Sequence, residues 1–134
     1  MNSSKFSEQP IVLAVDDSID NLTLMECQLE AVTSCAIVTA TTGQAALQLA
    51  QHQLPDLILL DILLPDLSGI EVTRQLRQSA LTAKIPIVAL TALARDEDRD
   101  RILSAGCNDY LSKPYDLDDL FEVVTRHLPQ YSLL

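Results

Sequence analysis

Hydrophobic residues fall along the chain in two rhythms. Nearly unbroken apolar runs occupy residues 11–15, 35–40, 57–60 and 86–91, and runs this short fit strands buried on both faces of a sheet, while Asp109-Tyr110-Leu111-Ser112 reads as a short fifth strand. Between and after them, apolar positions recur every three or four residues, the spacing of one helix face. Leu22, Met25 and Leu29 form such a stripe behind Asp17 and Ser18, either of which can cap a helix. Ala46, Leu47, Leu49 and Ala50 form a second, following Thr41-Thr42-Gly43 and running to about His52. Ile70, Val72 and Leu76 form a third, entered through Ser68-Gly69. The fourth predicted helix, from Asp96 to Ala105, is strongly charged; its acidic start suits the helix dipole and Gly106 can end it. Leu117, Leu120, Phe121, Val124 and Leu128 mark the last stripe, begun by Asp116.

Strand and helix alternate five times, which calls for a parallel sheet covered by helices on both faces. The predicted fold is α/β, a flavodoxin-like doubly wound (βα)5 arrangement with five parallel strands in the order 2-1-3-4-5. Residues 1–10 are a polar lead, 11–128 the domain and 129–134 a short tail, with no linker or low-complexity tract to mark a second domain.

In such a sheet the ligand site lies beyond the carboxyl ends of the strands, where strand order reverses. Those ends carry Asp16 and Asp17 after the first strand, Asp61 after the third, Thr91 after the fourth and Lys113 after the fifth. The first and third strands are neighbours at the reversal, which brings Asp61 beside Asp16 and Asp17. That placement explains why a carboxylate interrupts so apolar a run as LILLDILL, residues 57–64. Three clustered carboxylates repel by about 4 kcal/mol per close pair at an effective dielectric of about 20. A divalent cation with oxygen ligands offsets the repulsion, and Mg2+ suits a site of one or two carboxylates. Lys113 adds a further positive charge. An Asp held beside Mg2+ and Lys can attack a phosphoryl group to give an aspartyl-phosphate, with both cations stabilising the transferring oxygens. Each residue alone has an ordinary role as strand end, cap or turn. Their joint order at the ends of strands one, three, four and five is what chance seldom arranges.

Composition narrows the picture. The chain has 134 residues, 48% of them hydrophobic, enough for one compact core. Its net charge of -10 argues against a nucleic-acid partner, whose backbone attracts Lys and Arg. Cys27, Cys35 and Cys107 show no CxxC or Cys/His clustering and read as three core thiols in a reducing cytoplasm. The opening MNSSKFSEQP lacks a signal-peptide core, and Asp56, Asp61 and Pro65 break the apolar run before it can span a bilayer. A soluble, cytoplasmic protein with no membrane segment is expected.

The pieces VDDS, LLDILLPDLSG, ALTA and DYLSKP, holding Asp16-Asp17, Asp61, Thr91 and Lys113-Pro114, resemble the response-regulator receiver domain of two-component signalling. The resemblance runs from about Ile11 to Leu128 and is to the single-domain, chemotaxis-regulator-like type. It implies that Asp61 is the phosphoacceptor, and that Asp17, Asp61 and the backbone carbonyl of Leu63 are Mg2+ ligands, with Asp16 assisting through water. It implies that Lys113 pairs with the phosphoryl group, Thr91 bonds to it, and Tyr110 is the aromatic that swings inward. The phosphodonor would be a histidine kinase or histidine phosphotransfer protein, with Asp61 catalysing its own phosphorylation and slow dephosphorylation. A downstream protein target would be met through the face built from the fourth helix, fifth strand and fifth helix. Leu64 stands where the family often has Met, an inexpensive exchange. Leu63 and Leu93 stand where the family flanks the path of the hydrolytic water, and apolar side chains cannot orient water. A long-lived phosphorylated state is therefore expected, with small Ala92 leaving the site open to a donor.

Other classes fit less well. A flavin-binding electron carrier of the same fold, suggested by Thr39-Ala40-Thr41-Thr42-Gly43, needs a phosphate loop after the first strand, where Asp16 and Asp17 would repel it. A magnesium-dependent phosphohydrolase wants a second acid near Asp61, yet Ile62, Leu63 and Leu64 follow. A receiver-like module that never takes phosphate would lack an acid or the lysine. The initial Met and the closing Tyr131-Ser132-Leu133-Leu134 favour a free-standing regulator over the receiver segment of a hybrid histidine kinase.

Overall fold

The structure, a computed structural model, describes residues 9–92 and 96–128. In chain order these form β1 (Ile11–Val15), α1 (Ile19–Val32), β2 (Ala36–Ala40), α2 (Gly43–Gln53), β3 (Leu57–Asp61), α3 (Gly69–Gln78), β4 (Ile87–Thr91), α4 (Asp96–Ala105), β5 (Asp109–Ser112) and α5 (Leu117–His127). The five strands pair in parallel, as the alternation predicts, and in the flavodoxin-like order β2-β1-β3-β4-β5.

Strand alternation sorts the core into two layers. Val12, Ala14, Leu57, Leu59, Val88 and Leu90 face α1 and α5, whereas Leu13, Val15, Ile58, Leu60, Ile87 and Ala89 face α2, α3 and α4. β3 and β4 are buried along their whole length, which is why their sequences carry no polar alternation. β2 and β5 are the exceptions to burial on both faces: as edge strands they are only partly covered, with Ala40 and Leu111 their buried residues.

The helix starts are fastened by side chains. Ser18 Oγ accepts from the Asn21 N–H at 3.2 Å, and Thr42 and Ser68 cap α2 and α3 in the same way. Asp116 and Asp119 bond each other's backbone in a capping box at the start of α5. Gly106, at φ +120, ends α4 where a side chain would be strained.

Two expectations are corrected. Cys27 is exposed, not a core thiol: it lies two positions past Met25, on the far side of α1 from the buried stripe of Leu22, Met25, Leu29 and Val32. Cys35 and Cys107 are buried as expected. Leu117 is exposed too, because it stands at the first position of α5, at the carboxyl rim of the sheet; the buried stripe is Leu120, Val123, Val124 and then Leu128. Among the described residues no helix is long and apolar enough to cross a membrane.

Candidate functional site

Because β1 and β3 are neighbours, their carboxyl ends deliver Asp16 and Asp61 to one cleft. Asp61 is the last residue of β3, in register with Leu90 of β4. Asp16 and Asp61 are only 1% and 7% exposed, while Asp17 stands exposed at the rim. One carboxylate oxygen from each of Asp16, Asp17 and Asp61 lies within 4.8 Å of the others.

Lys113 reaches this cluster from the end of β5. Its Nζ donates to Asp16 Oδ2 at 3.0 Å and to Asp61 Oδ2 at 3.2 Å. Its backbone N–H donates to the Thr91 carbonyl at 2.8 Å, tying the ends of β4 and β5 together. The peptide bond from Lys113 to Pro114 is cis. The Leu63 N–H donates to Asp61 Oδ1 at 3.1 Å, drawing the loop after β3 over the carboxylate. The Ser18 N–H holds Asp16 Oδ1 at 2.9 Å.

Asn21 was not anticipated. Its side-chain amide lies 3.5 and 3.4 Å from the two Asp16 oxygens, and its position in the first turn of α1, just after the acid pair, is the available clue. Gly69 does more than form a turn or open a helix. Its N–H donates to the Ile62 carbonyl at 2.8 Å, and a Cβ there would lie 2.6 Å from the Asp61 carbonyl oxygen and 2.8 Å from Ile62 Cα. Only glycine lets the first turn of α3 lie so close beneath the residue that follows β3.

The electrostatics are unbalanced. Burial raises the Asp61 carboxyl above its ordinary 3.8; the Leu63 N–H and the Lys113 charge oppose the rise without cancelling it, and Asp16 adds to it. Burial alone would lower Lys113, but the hydrogen bond to Asp16 and the charges of Asp61 and Asp16 outweigh it and hold the ammonium above its ordinary 10.5. Lys113 therefore stays charged, and one ammonium faces three carboxylates. Hard oxygens in negative excess suit a hard divalent cation.

Thr91 ends β4, buried and in register with Ser112. Tyr110, on β5, is half-buried and packs on the cluster containing Ile87 and Ala89. The Leu63 side chain is 65% exposed, Ala92 is exposed, and Leu64 packs partly buried against the core. Leu93 lies outside the described residues. Asp16, Asn21, Met25, Lys113 and Tyr115 line a cavity of about 370 Å3 beside the cluster.

Residues 12–125 match the family described as the response regulator receiver domain. The chain belongs to this family. It is 38% identical to the polar-differentiation response regulator DivK of Brucella ovis over 117 residues, covering 87% of this chain and 94% of that one. Chemotaxis protein CheY4 of Vibrio cholerae superposes with a TM-score of 0.83 at 30% identity, over 90% of this chain and 99% of the other. The receiver domain of a sensor histidine kinase from Pseudomonas aeruginosa, solved with magnesium in its active-site cleft, gives 0.83 at 35% identity over 90% and 98%. This receiver domain thus acts in phosphorelay signalling. Receiver domains take phosphoryl groups from kinases, signal to downstream targets and bind Mg2+ at an acidic pocket; the corresponding cluster here is Asp16, Asp17 and Asp61. The comparisons lend the flavin-carrier alternative no support.

Proposed function

We propose that Asp61 is the residue that takes the phosphoryl group, from a histidine kinase or a histidine phosphotransfer protein, in a Mg2+-dependent reaction. The observation that carries this reading is the Asp61 carboxylate itself, buried, raised in pKa, and held between the Lys113 ammonium and the Leu63 N–H. A carboxylate short of solvation, yet fixed in direction, is a competent nucleophile. Its oxygen forms a bond to phosphorus as the phosphorus–nitrogen bond to the donor imidazole breaks; the bonding pair stays on that nitrogen, and the imidazole, protonated on its other ring nitrogen, leaves neutral. Lys113 stays charged throughout and pairs with the incoming oxygens. Asp17, Asp61 and the Leu63 carbonyl would hold Mg2+, with Asp16 assisting through water. When bound, Mg2+ supplies charge neutralisation for the phosphoryl oxygens.

A phosphoryl group adds charge of about -1.5 to -2 and strong acceptor oxygens. Thr91 supplies the hydroxyl that bonds to it, and Tyr110 follows inward along the same face of the sheet. The surface of α4, β5 and α5 then changes for a downstream protein target. Exposed Leu24 and Leu63 border the acidic cleft, and such an apolar rim suits a protein donor presenting its histidine from an apolar surface. Cytoplasmic placement accords with such donors.

The test is intact mass after incubation with acetyl phosphate and Mg2+. Wild type gains one phosphoryl group, and Asp61→Asn gains none. An adduct on both proteins means that another residue is the acceptor.

A further inference from the structure

Arg99 is where α4 grips β5. Its guanidinium carbon lies 5.3 Å from the centroid of the Tyr110 ring, within cation–π range. A guanidinium nitrogen also sits 3.4 Å from Asp96 Oδ1, but that carboxylate is 94% exposed and screened by solvent, so the charge remains available to the ring. Tyr110 is in register with Ala89, and Ala89 shares its face of β4 with Thr91. The ring therefore stands one step from Thr91 along the sheet, with Arg99 against it from the helix.

A neighbouring face of α4 meets the loop that leaves Asp61. Asp98, Arg101 and Ile102 join Ile62, Leu63 and Ile70 around a cavity of about 160 Å3. One helix thus touches both the exit from Asp61 and the Tyr110 ring, and it has open space beside it in which to shift.

We propose that Arg99 is a positioning residue that holds Tyr110 in its present place, so that the Arg99–Tyr110 contact sets how readily this receiver domain passes to its phosphorylated form. The proposal rests on the reading of Tyr110 as the aromatic that moves with the site. A ring that advances toward Thr91 withdraws from the guanidinium. The contact is therefore made in the resting form and weakened in the other, and it opposes the change. A half-exposed pair of this kind shifts such an equilibrium by about two- to fivefold.

The full chain labelled with 3-fluorotyrosine tests this by fluorine NMR, with beryllofluoride and Mg2+ as the phosphoryl mimic and Tyr110→Phe to assign the resonance. In wild type the Tyr110 resonance moves on titration. In Arg99→Gln the resting resonance is displaced and the beryllofluoride midpoint falls by about two- to fivefold, while Arg99→Lys, which keeps a cation, stays close to wild type. A midpoint in Arg99→Gln equal to or above that of wild type, with the resonance still moving, overturns the proposal and leaves the site intact. A wild-type Tyr110 resonance that ignores beryllofluoride overturns the aromatic-switch reading and this proposal together. In that case the acetyl phosphate adduct on Asp61 still stands or falls by its own measurement.

Discussion

Lys113→Met keeps the length of the side chain and removes its charge from beside Asp16 and Asp61. At an effective dielectric of about 20, the 3.2 Å contact with Asp61 corresponds to about 5 kcal/mol. Because 26% of the Lys113 side chain remains exposed, solvent and salt remove roughly half of that, leaving a coupling of about 2–3 kcal/mol. The single substitution should cost more than the coupling to either acid alone, about 3–5 kcal/mol, since it leaves two buried carboxylates facing each other unpaired. The assay is urea unfolding in EDTA at neutral pH for wild type, Lys113→Met, Asp61→Asn and the double variant, with the slope checked for constancy. In the Asp61→Asn background the lysine substitution should cost about 2–3 kcal/mol less than in wild type. Added Mg2+ should restore part of the loss in Lys113→Met, because it supplies positive charge to the same acids. A coupling below about 0.5 kcal/mol, the level of ordinary additivity, would refute the charge balance inferred for this cleft.

The raised carboxyl of Asp61 sets a pH dependence: the folded protein keeps that proton to higher pH than the unfolded chain, so its contribution is complete below 3.8 and lost as pH rises through the folded value. Without Mg2+, Asp61→Asn should therefore gain stability over wild type as pH rises through that window, and parallel urea midpoints would contradict this. Gly69→Ala should lose about 1–3 kcal/mol, despite alanine's better helix propensity, and phosphorylate more slowly, because its Cβ meets backbone at 2.6 and 2.8 Å; an unchanged urea midpoint would show that α3 can back away freely. Leu63→Gln should shorten the life of the phosphorylated protein by about tenfold by giving the attacking water a polar partner; decay as slow as in wild type counts against the water-path argument. A thiol reagent at neutral pH should modify Cys27 alone in the native protein, since burial followed by the Glu30 charge pushes the Cys35 thiol up to about 11, and burial also raises Cys107. Equal labelling of Cys35 or Cys107, followed by mass, would place them at the surface.

Much of this receiver domain was legible along the chain because its elements have strong and different periods. Apolar strands alternating with stripes of 3.6-residue spacing admit few topologies, and a parallel sheet with right-handed crossovers brings strand ends to one edge. Asp16, Asp61 and Lys113 were therefore traceable to one cleft before any distance was known. Cys27 and Leu117 were misplaced for a local reason: apolar neighbours in sequence say little about helical phase, and a stripe does not reveal where a helix first meets its sheet.

The long-range fastenings carry no periodic signal at all. Asp66 accepts from the Gly43 and Gln44 N–H groups at the start of α2, 2.7 and 2.9 Å away across the sheet's rim. Arg77 donates to the carbonyls of Gly106, Thr82, Ala83 and Ile85 and to Asn108, joining the loops before β4 and β5. Each depends on how two loops meet, which is set by packing rather than by residues close in sequence.

By itself the amino-acid order determined the alternation of elements and the carboxyl edge of a parallel sheet as the place where the acids and the lysine end their strands, because burial of apolar faces and right-handed crossovers leave few other arrangements. Only the tertiary structure decided that Asp16 shares Lys113 with Asp61 while Asp17 stays at the rim, that Gly69 lies directly beneath Asp61, and that Arg99 covers Tyr110. Those outcomes turn on differences of an ångström or two between side chains far apart in sequence, a scale at which hydrogen bonds and charge pairs are made or lost and at which hydrophobic patterning is silent.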